Sequence, residues 1–109
     1  MEQQVRVMPD QEGARVISCT GEFDLDTLGP LEAACSAAGA DPGVRRIVLD
    51  VAALTYADSS FLNLMLRVLR TGRLVVAGPV PPQLARVLDL TETRSVFRIA
   101  DDVASARTL

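Results

Sequence analysis

Three consecutive polar side chains, Asp58, Ser59 and Ser60, offer the clearest chemistry in this sequence. They follow a hydrophobic run that ends at Ala57 and precede the apolar segment that begins at Phe61, so they lie where a strand is expected to give way to a helix. A helix start leaves backbone N–H groups without partners and carries partial positive charge. Both properties favour an added anion, by roughly 0.3–1 kcal/mol at an exposed site. We therefore predict that an exposed serine hydroxyl at this position is suited to carry a phosphate.

The same residues also have a purely structural interpretation. Asp and Ser are favoured as N-caps, so Ser59 and Ser60 can simply cap the helix. Asp58 can itself be the cap, and its carboxylate would then compete with a phosphate for the same N–H groups. A serine hydrolase is the enzymatic interpretation, but the chain contains no His, no Lys and no Gly-x-Ser-x-Gly elbow that would activate the serine. We expect no enzymatic activity.

Composition and charge narrow the classes of protein further. The chain has 109 residues, of which 49% are hydrophobic and 23% are charged, and its formal net charge at pH 7 is -3. This balance is typical of one compact domain over residues 1–109. The negative charge disfavours nucleic acid and anionic membranes as partners, and no segment approaches the roughly 18 apolar residues of a membrane span. We expect a cytoplasmic protein that binds neither nucleic acid nor a membrane.

The two cysteines, Cys19 and Cys35, are too few for a disulfide framework, and there is no His to complete a zinc site. We expect buried free thiols, no metal site and no cofactor. Tyr56, the only tyrosine, is expected to be a half-buried anchor.

Hydrophobic periodicity predicts an alternating order of strands and helices. Strands are predicted over residues 5–7, 14–20, 45–51, 73–77 and 96–99, and helices over residues 28–38, 58–71 and 82–90, with a last helix that opens at Asp101. Asp26 or Thr27 is the expected cap of the first helix. The first two strands should form an antiparallel hairpin, and the strand–helix–strand units that follow imply parallel crossovers. The β-branched run 45–51 is typical of a central strand that is buried on both faces.

The helix after Ser59 has an unusually wide apolar arc, because Phe61, Leu64 and Val68 form a second stripe beside its main hydrophobic face. Together the two stripes span roughly 200°, against roughly 100° for an ordinary surface helix. Neighbouring elements can cover the second stripe. Alternatively, Phe61, Leu64 and Val68 are partly exposed and bind a partner next to the serine.

The order of elements and three short motifs resemble the STAS domain family. The motifs are Gly21-Glu22-Phe23-Asp24 after the second strand, Leu49-Asp50 in the central strand and Asp58-Ser59-Ser60 at the start of the second helix. In particular, the chain resembles stand-alone anti-sigma factor antagonists. The resemblance implies an α/β fold with a mixed sheet, in which an antiparallel N-terminal hairpin precedes parallel crossover strands and helices pack mainly on one face.

The resemblance also implies a function. The unmodified antagonist binds an anti-sigma factor that is itself a serine kinase, and this frees the sigma factor. The kinase phosphorylates the serine directly after the Asp, here Ser59, and a serine phosphatase reverses the modification. The partner-binding residues expected on this basis and from the second stripe are Asp24, Asp58, Ser60, Phe61, Leu64 and Val68.

Phe61 departs from the pattern, because many members of the family have Gly after the two serines. A bulky ring there is expected to affect the choice of partner. The alternative function is a STAS module that does not switch, either as a scaffold or as a ligand-binding module of a regulatory or transport complex.

Overall fold

A five-stranded mixed sheet forms the centre of the molecule, with its strands in sequence order. The structure is a computed structural model and describes residues 3–109. The strands are β1 (Gln4–Val7), β2 (Ala14–Phe23), β3 (Arg46–Ala57), β4 (Leu74–Ala77) and β5 (Ile99–Ala100). β1 pairs antiparallel with β2, whereas the pairs β2–β3, β3–β4 and β4–β5 are parallel. The predicted hairpin and parallel strands are confirmed.

Helices cover the two faces of the sheet unequally. They are α1 (Gly29–Ala40), α2 (Ser59–Leu69), α3 (Pro82–Leu90) and the short α4 (Val103–Thr108), and a 3-10 turn spans Arg94–Val96. Residues of α1, α2 and α3 share the larger hydrophobic core with one face of the sheet. α4 packs on the opposite face through Ala106, against Val16, Val48 and Val75. The prediction that helices lie mainly on one face is confirmed.

The central strand is longer than its sequence indicates. Ile47, Val48 and Leu49 are buried, as expected for a strand covered on both faces. β3 does not end at residue 51, however, but continues to Ala57, because β2 also continues to Phe23 and pairs with it through two register shifts. The prediction of the strand is therefore confirmed, and its predicted end is wrong.

Two other predicted boundaries also need correction. The last strand begins at Ile99 rather than at residue 96, because Arg94–Val96 forms a 3-10 turn. The N-cap of α1 is Leu28, which makes no side-chain cap hydrogen bond. Asp26 and Thr27 do not cap this helix, because both belong to a turn that closes on Asp24.

Both cysteines are free and buried, as predicted. Burial raises the pKa of the Cys35 thiol to about 11 and raises the pKa of the Cys19 thiol still further from its ordinary value. Neither side chain is therefore a ready nucleophile. Tyr56, near the end of β3, is 44% exposed, which agrees with the expectation that it is half-buried. Over residues 3–109, none of the helices has the length and apolar character needed to cross a membrane.

Candidate functional site

The carboxyl ends of β2 and β3 define the candidate site. Phe23, the last residue of β2, lies opposite Ala57, the last residue of β3. Adjacent strands lie about 4.8 Å apart. Asp24 and Asp58, which follow directly after these two residues, therefore leave the sheet side by side. The register thus brings together Asp24 and the Asp58-Ser59-Ser60 segment, which are far apart in the sequence.

Asp58 is the N-cap of α2, and Ser59 is its first helical residue. Oδ1 of Asp58 accepts a hydrogen bond of 2.9 Å from the Ser60 N–H and a longer one of 3.4 Å from the Phe61 N–H. The interpretation in which Asp58 is the cap is therefore confirmed. The prediction of a bare helix start needs correction, because a carboxylate already occupies these N–H groups.

The Ser59 side chain is exposed, as predicted, whereas Asp58 and Ser60 are partly buried. Position 59 is the first residue of α2, directly after the chain has left the sheet at the end of β3.

Asp24 organises the turn that connects β2 to α1. Its Oδ1 accepts hydrogen bonds from the Asp26 N–H at 2.9 Å and from the Thr27 N–H at 3.0 Å. The Asp24 N–H donates in return to Oγ1 of Thr27 at 3.0 Å. These bonds form a local Asx-type turn. One oxygen of the Asp24 carboxylate is therefore committed to the turn, and Leu25, inside the turn, is 74% exposed.

The second apolar stripe of α2 is buried. The exposed fractions of Phe61, Leu64 and Val68 are 0%, 4% and 6%. The prediction that these three residues are partly exposed and bind a partner is wrong, and the alternative that neighbouring elements cover them is confirmed. The reason is that α1 packs against this stripe and contributes Cys35 to the same core.

The ring of Phe61 explains how a bulky residue fits after the two serines. It packs edge-on against the ring of Phe23, with ring centroids 5.7 Å apart and planes inclined by 72°. Such aromatic pairs contribute about 0.5–1.5 kcal/mol beyond the area that they bury. Phe61 therefore joins the first turn of α2 to the end of β2, beneath the surface that carries Ser59.

Gln83, in the first turn of α3, holds the residue that precedes Asp58. The Ala57 N–H donates to Oε1 of Gln83 at 2.8 Å, and Nε2 of Gln83 donates to the Ala57 carbonyl oxygen at 2.8 Å. β4 pairs only with Ile47–Asp50 of β3. At Ala57, near the end of β3, the Gln83 side chain therefore makes the hydrogen bonds that a neighbouring strand would otherwise make. Sequence reasoning missed Gln83, because only the folded chain brings it next to residue 57.

The edge that carries Ser59 is acidic. Glu22, at the end of β2, and Asp24, Asp26 and Asp58, just beyond the strand ends, contribute four carboxylates, and residues 20–30 and 54–66 contain no Arg. Salt bridges in the described part of the chain use other carboxylates, among them the pairs of Arg15 with Asp10 and of Arg67 with Glu32. The acids next to Ser59 therefore make no salt bridge within residues 3–109. In the same part of the chain, no group of three or more His, Cys, Asp or Glu is arranged to hold a metal ion.

Comparison with known proteins establishes the family. A family model described as "Mlab, STAS domain" matches residues 7–96. The chain belongs to the STAS domain family. A solved anti-sigma factor antagonist from Mycobacterium paratuberculosis is 25% identical to this STAS domain, with a TM-score of 0.85, and the match covers 98% of this chain and 92% of the other.

Two structures of the anti-sigma factor antagonist SpoIIAA share the fold of this STAS domain. The unphosphorylated form is 20% identical, with a TM-score of 0.72 and coverage of 96% of this chain and 94% of the other. The phosphorylated form, described as a Bacillus cell fate determinant, is 21% identical, with a TM-score of 0.72 and coverage of 96% and 98%. These two structures, like that of the Mycobacterium paratuberculosis protein, are of anti-sigma factor antagonists.

Proposed function

We propose that this STAS domain is an anti-sigma factor antagonist that is switched by phosphorylation of Ser59. In its unphosphorylated form it binds an anti-sigma factor that is also a serine kinase, and this binding releases the sigma factor. Phosphorylation of Ser59 by that kinase ends the interaction. A serine phosphatase that acts on the phosphorylated form restores binding.

One observation carries this proposal: Ser59 is exposed as the first residue of α2, next to the cap Asp58. The similarity to the Mycobacterium paratuberculosis antagonist supports the general role. Asp24, Asp58 and Ser60 remain proposed partner-binding residues, because they surround the serine at the same edge of the sheet.

The phosphoryl transfer needs little chemistry from this chain. Oγ of Ser59 attacks the γ-phosphorus of an ATP molecule held by the kinase, a new O–P bond forms, and the bond between that phosphorus and the β-phosphate oxygen breaks to release ADP. The hydroxyl proton passes to a base of the kinase, as the catalytic Asp of protein kinases accepts the proton of a substrate hydroxyl. The role of this domain is to present Ser59 in a fixed position.

The expected loss of affinity follows from charge. Phosphorylation adds about -1.5 to -2 charges at an edge that already carries Asp24 and Asp58. The N–H groups of Ser60 and Phe61 are occupied by Asp58, so they do not neutralise the new group. In the complex, Ser59 must lie within bonding distance of ATP, so its phosphate is also repelled by the nucleotide. A loss of about 1–3 kcal/mol weakens binding by roughly 5–150-fold, with little movement of the backbone.

A second candidate function keeps the fold without the switch. The family model that matches residues 7–96 is described by the name Mlab, and its description mentions no sigma factor. This favours, as the alternative, a STAS module that acts as a scaffold or binds a ligand in a regulatory or transport complex. In that case no kinase would modify Ser59.

Incubation with purified anti-sigma factor kinases of the source organism and Mg-ATP distinguishes the two functions. The switch predicts one added phosphate by intact mass, absent in Ser59→Ala and retained in Ser60→Ala, which is the matched control. In a binding assay Ser59→Ala should bind the kinase constitutively, whereas Ser59→Asp should bind more weakly. Absence of transfer by every such kinase, or equal binding by the two Ser59 variants, would contradict the switch.

A further inference from the structure

Leu25 is an exposed apolar side chain in a turn that is otherwise polar. It is 74% exposed, whereas Phe23, two residues earlier, is completely buried. A single exposed leucine on a protein surface is common and needs no explanation. Leu25 differs from such a residue because its turn is held by hydrogen bonds and lies among acidic side chains.

The turn around Leu25 is held on both sides by hydrogen bonds. Asp24 accepts from the N–H groups of Asp26 and Thr27, and Thr27 accepts from the Asp24 N–H. A side chain of Gln3 also donates to the Thr27 carbonyl oxygen. Because the backbone is already ordered, a partner that contacts Leu25 does not have to order this loop, and less conformational entropy is lost on binding.

Leu25 lies close enough to Ser59 to share one interface with it. Each residue is two positions beyond a strand end, and those ends, Phe23 and Ala57, are opposite each other in the sheet. The rings of Phe23 and Phe61 are in contact, so the residue that precedes the turn by one position packs against the first turn of α2. A specific interface buries about 800 Å² on each partner, so a partner centred on Ser59 also covers Leu25.

The charges around Leu25 define the chemistry of the partner. Asp24, Asp26 and Asp58 surround the two strand ends, and no Arg lies in residues 20–30 or 50–66. A complementary surface therefore has an apolar pocket for the leucine and basic side chains at its rim.

We propose that Leu25 is the apolar anchor by which this domain binds its anti-sigma factor kinase, and that the kinase receives it in an apolar pocket rimmed by Arg or Lys. This inference rests on the proposed function, because it assumes the same partner. Phe61, Leu64 and Val68 are buried and cannot supply the apolar contact to a partner. Leu25 is exposed and takes this role in the proposal.

The chain offers a matched control for this inference. Leu90, the last residue of α3, is also 74% exposed, but it belongs to a helix rather than to the turn that follows β2. Calorimetry with the kinase that modifies Ser59 should show a dissociation constant about 10-fold higher for Leu25→Ala, equal to about 1.4 kcal/mol. Leu90→Ala should change it less than about twofold, which is within the usual effect of a surface substitution. Both variants should melt at the temperature of the unchanged protein.

The rim is tested separately. Affinity should fall as salt is raised from low to physiological concentration, because exposed charges are screened over about 8–10 Å, and Asp26→Asn should reduce this dependence. Equal affinities of Leu25→Ala and Leu90→Ala would overturn the anchor, and an affinity independent of salt would overturn the basic rim. If the unchanged protein binds none of the kinases, the proposed function itself fails, and the inference fails with it.

Discussion

Gln83→Leu tests whether the side chain of α3 holds the end of β3 in place. The Gln83 amide makes two hydrogen bonds of 2.8 Å with the backbone of Ala57, which is fully buried. Leu has a similar size but neither donates nor accepts, so the Ala57 N–H and carbonyl oxygen both lose their partner. A buried polar group without a partner costs about 1–3 kcal/mol.

The expected loss of stability lies near the lower end of that range for each group. Gln83 is partly exposed, so water reaches part of the site. We expect the free energy of unfolding to fall by about 2 kcal/mol in total, which corresponds to a melting temperature lower by roughly 8–16 °C. Urea denaturation measures the first quantity and calorimetry the second.

A local measurement separates positioning from general stability. Amide hydrogen exchange at Ala57 and Ser60 should accelerate in Gln83→Leu more than exchange in β2 does, because the opening is local. The kcat for phosphorylation of Ser59 should fall more than the KM rises, since a misplaced nucleophile loses rate rather than affinity.

The control is Gln11→Leu, the same change at an exposed position before the start of β2. It should leave stability, exchange and phosphorylation close to those of the unchanged protein. If Gln83→Leu behaves like Gln11→Leu in all three measurements, the assignment of Gln83 as a positioning residue is wrong.

Two further predictions concern the core and the dependence on pH. Leu64→Ala should lower the free energy of unfolding by about 2–5 kcal/mol in urea denaturation, because it leaves a cavity under α1; a change below about 0.5 kcal/mol, as at a surface position, would contradict its burial. The pKa of Asp102 is lowered from 3.8 because its carboxylate accepts a hydrogen bond from the Ser105 N–H at the start of α4. Because the pKa of Asp102 is lower in the folded protein than in the unfolded chain, its ionised carboxylate stabilises the fold. This stabilisation is complete at pH values above the unfolded pKa of about 3.8, and it is lost as the pH falls through the lower pKa of the folded protein. The difference in stability between the unchanged protein and Asp102→Asn should therefore be largest near neutral pH and should shrink as the solution is acidified below about pH 3.8 in a denaturation series, whereas a difference that grows on acidification would refute the assignment.

The order of the elements could be predicted because apolar periodicity is a local property. The β-branched run at the start of β3 and the apolar arc of α2 both identify their element without knowledge of the rest of the fold. The exposure of Ser59 could be predicted for the same reason, since a strand end followed by a helix start leaves a residue at the surface.

The length of β3 and the covering of α2 could not be predicted from local patterns. Residues 52–57 are paired only because β2 extends beside them to Phe23. The wide apolar arc of α2 shows that Leu64 and Val68 need a cover, but it does not show whether α1 or a partner supplies it. The bond between Gln83 and Ala57 joins residues that only the crossover from β4 to α3 brings together.

The central claim is that a phosphate on Ser59 makes the anti-sigma factor kinase release this domain. The most direct measurement is the dissociation constant of the kinase for the protein phosphorylated on Ser59, compared with that for the unphosphorylated protein, in the same buffer and with ADP bound to the kinase. The account predicts that phosphorylation raises the dissociation constant by roughly 5–150-fold. Equal or tighter binding of the phosphorylated protein would contradict it.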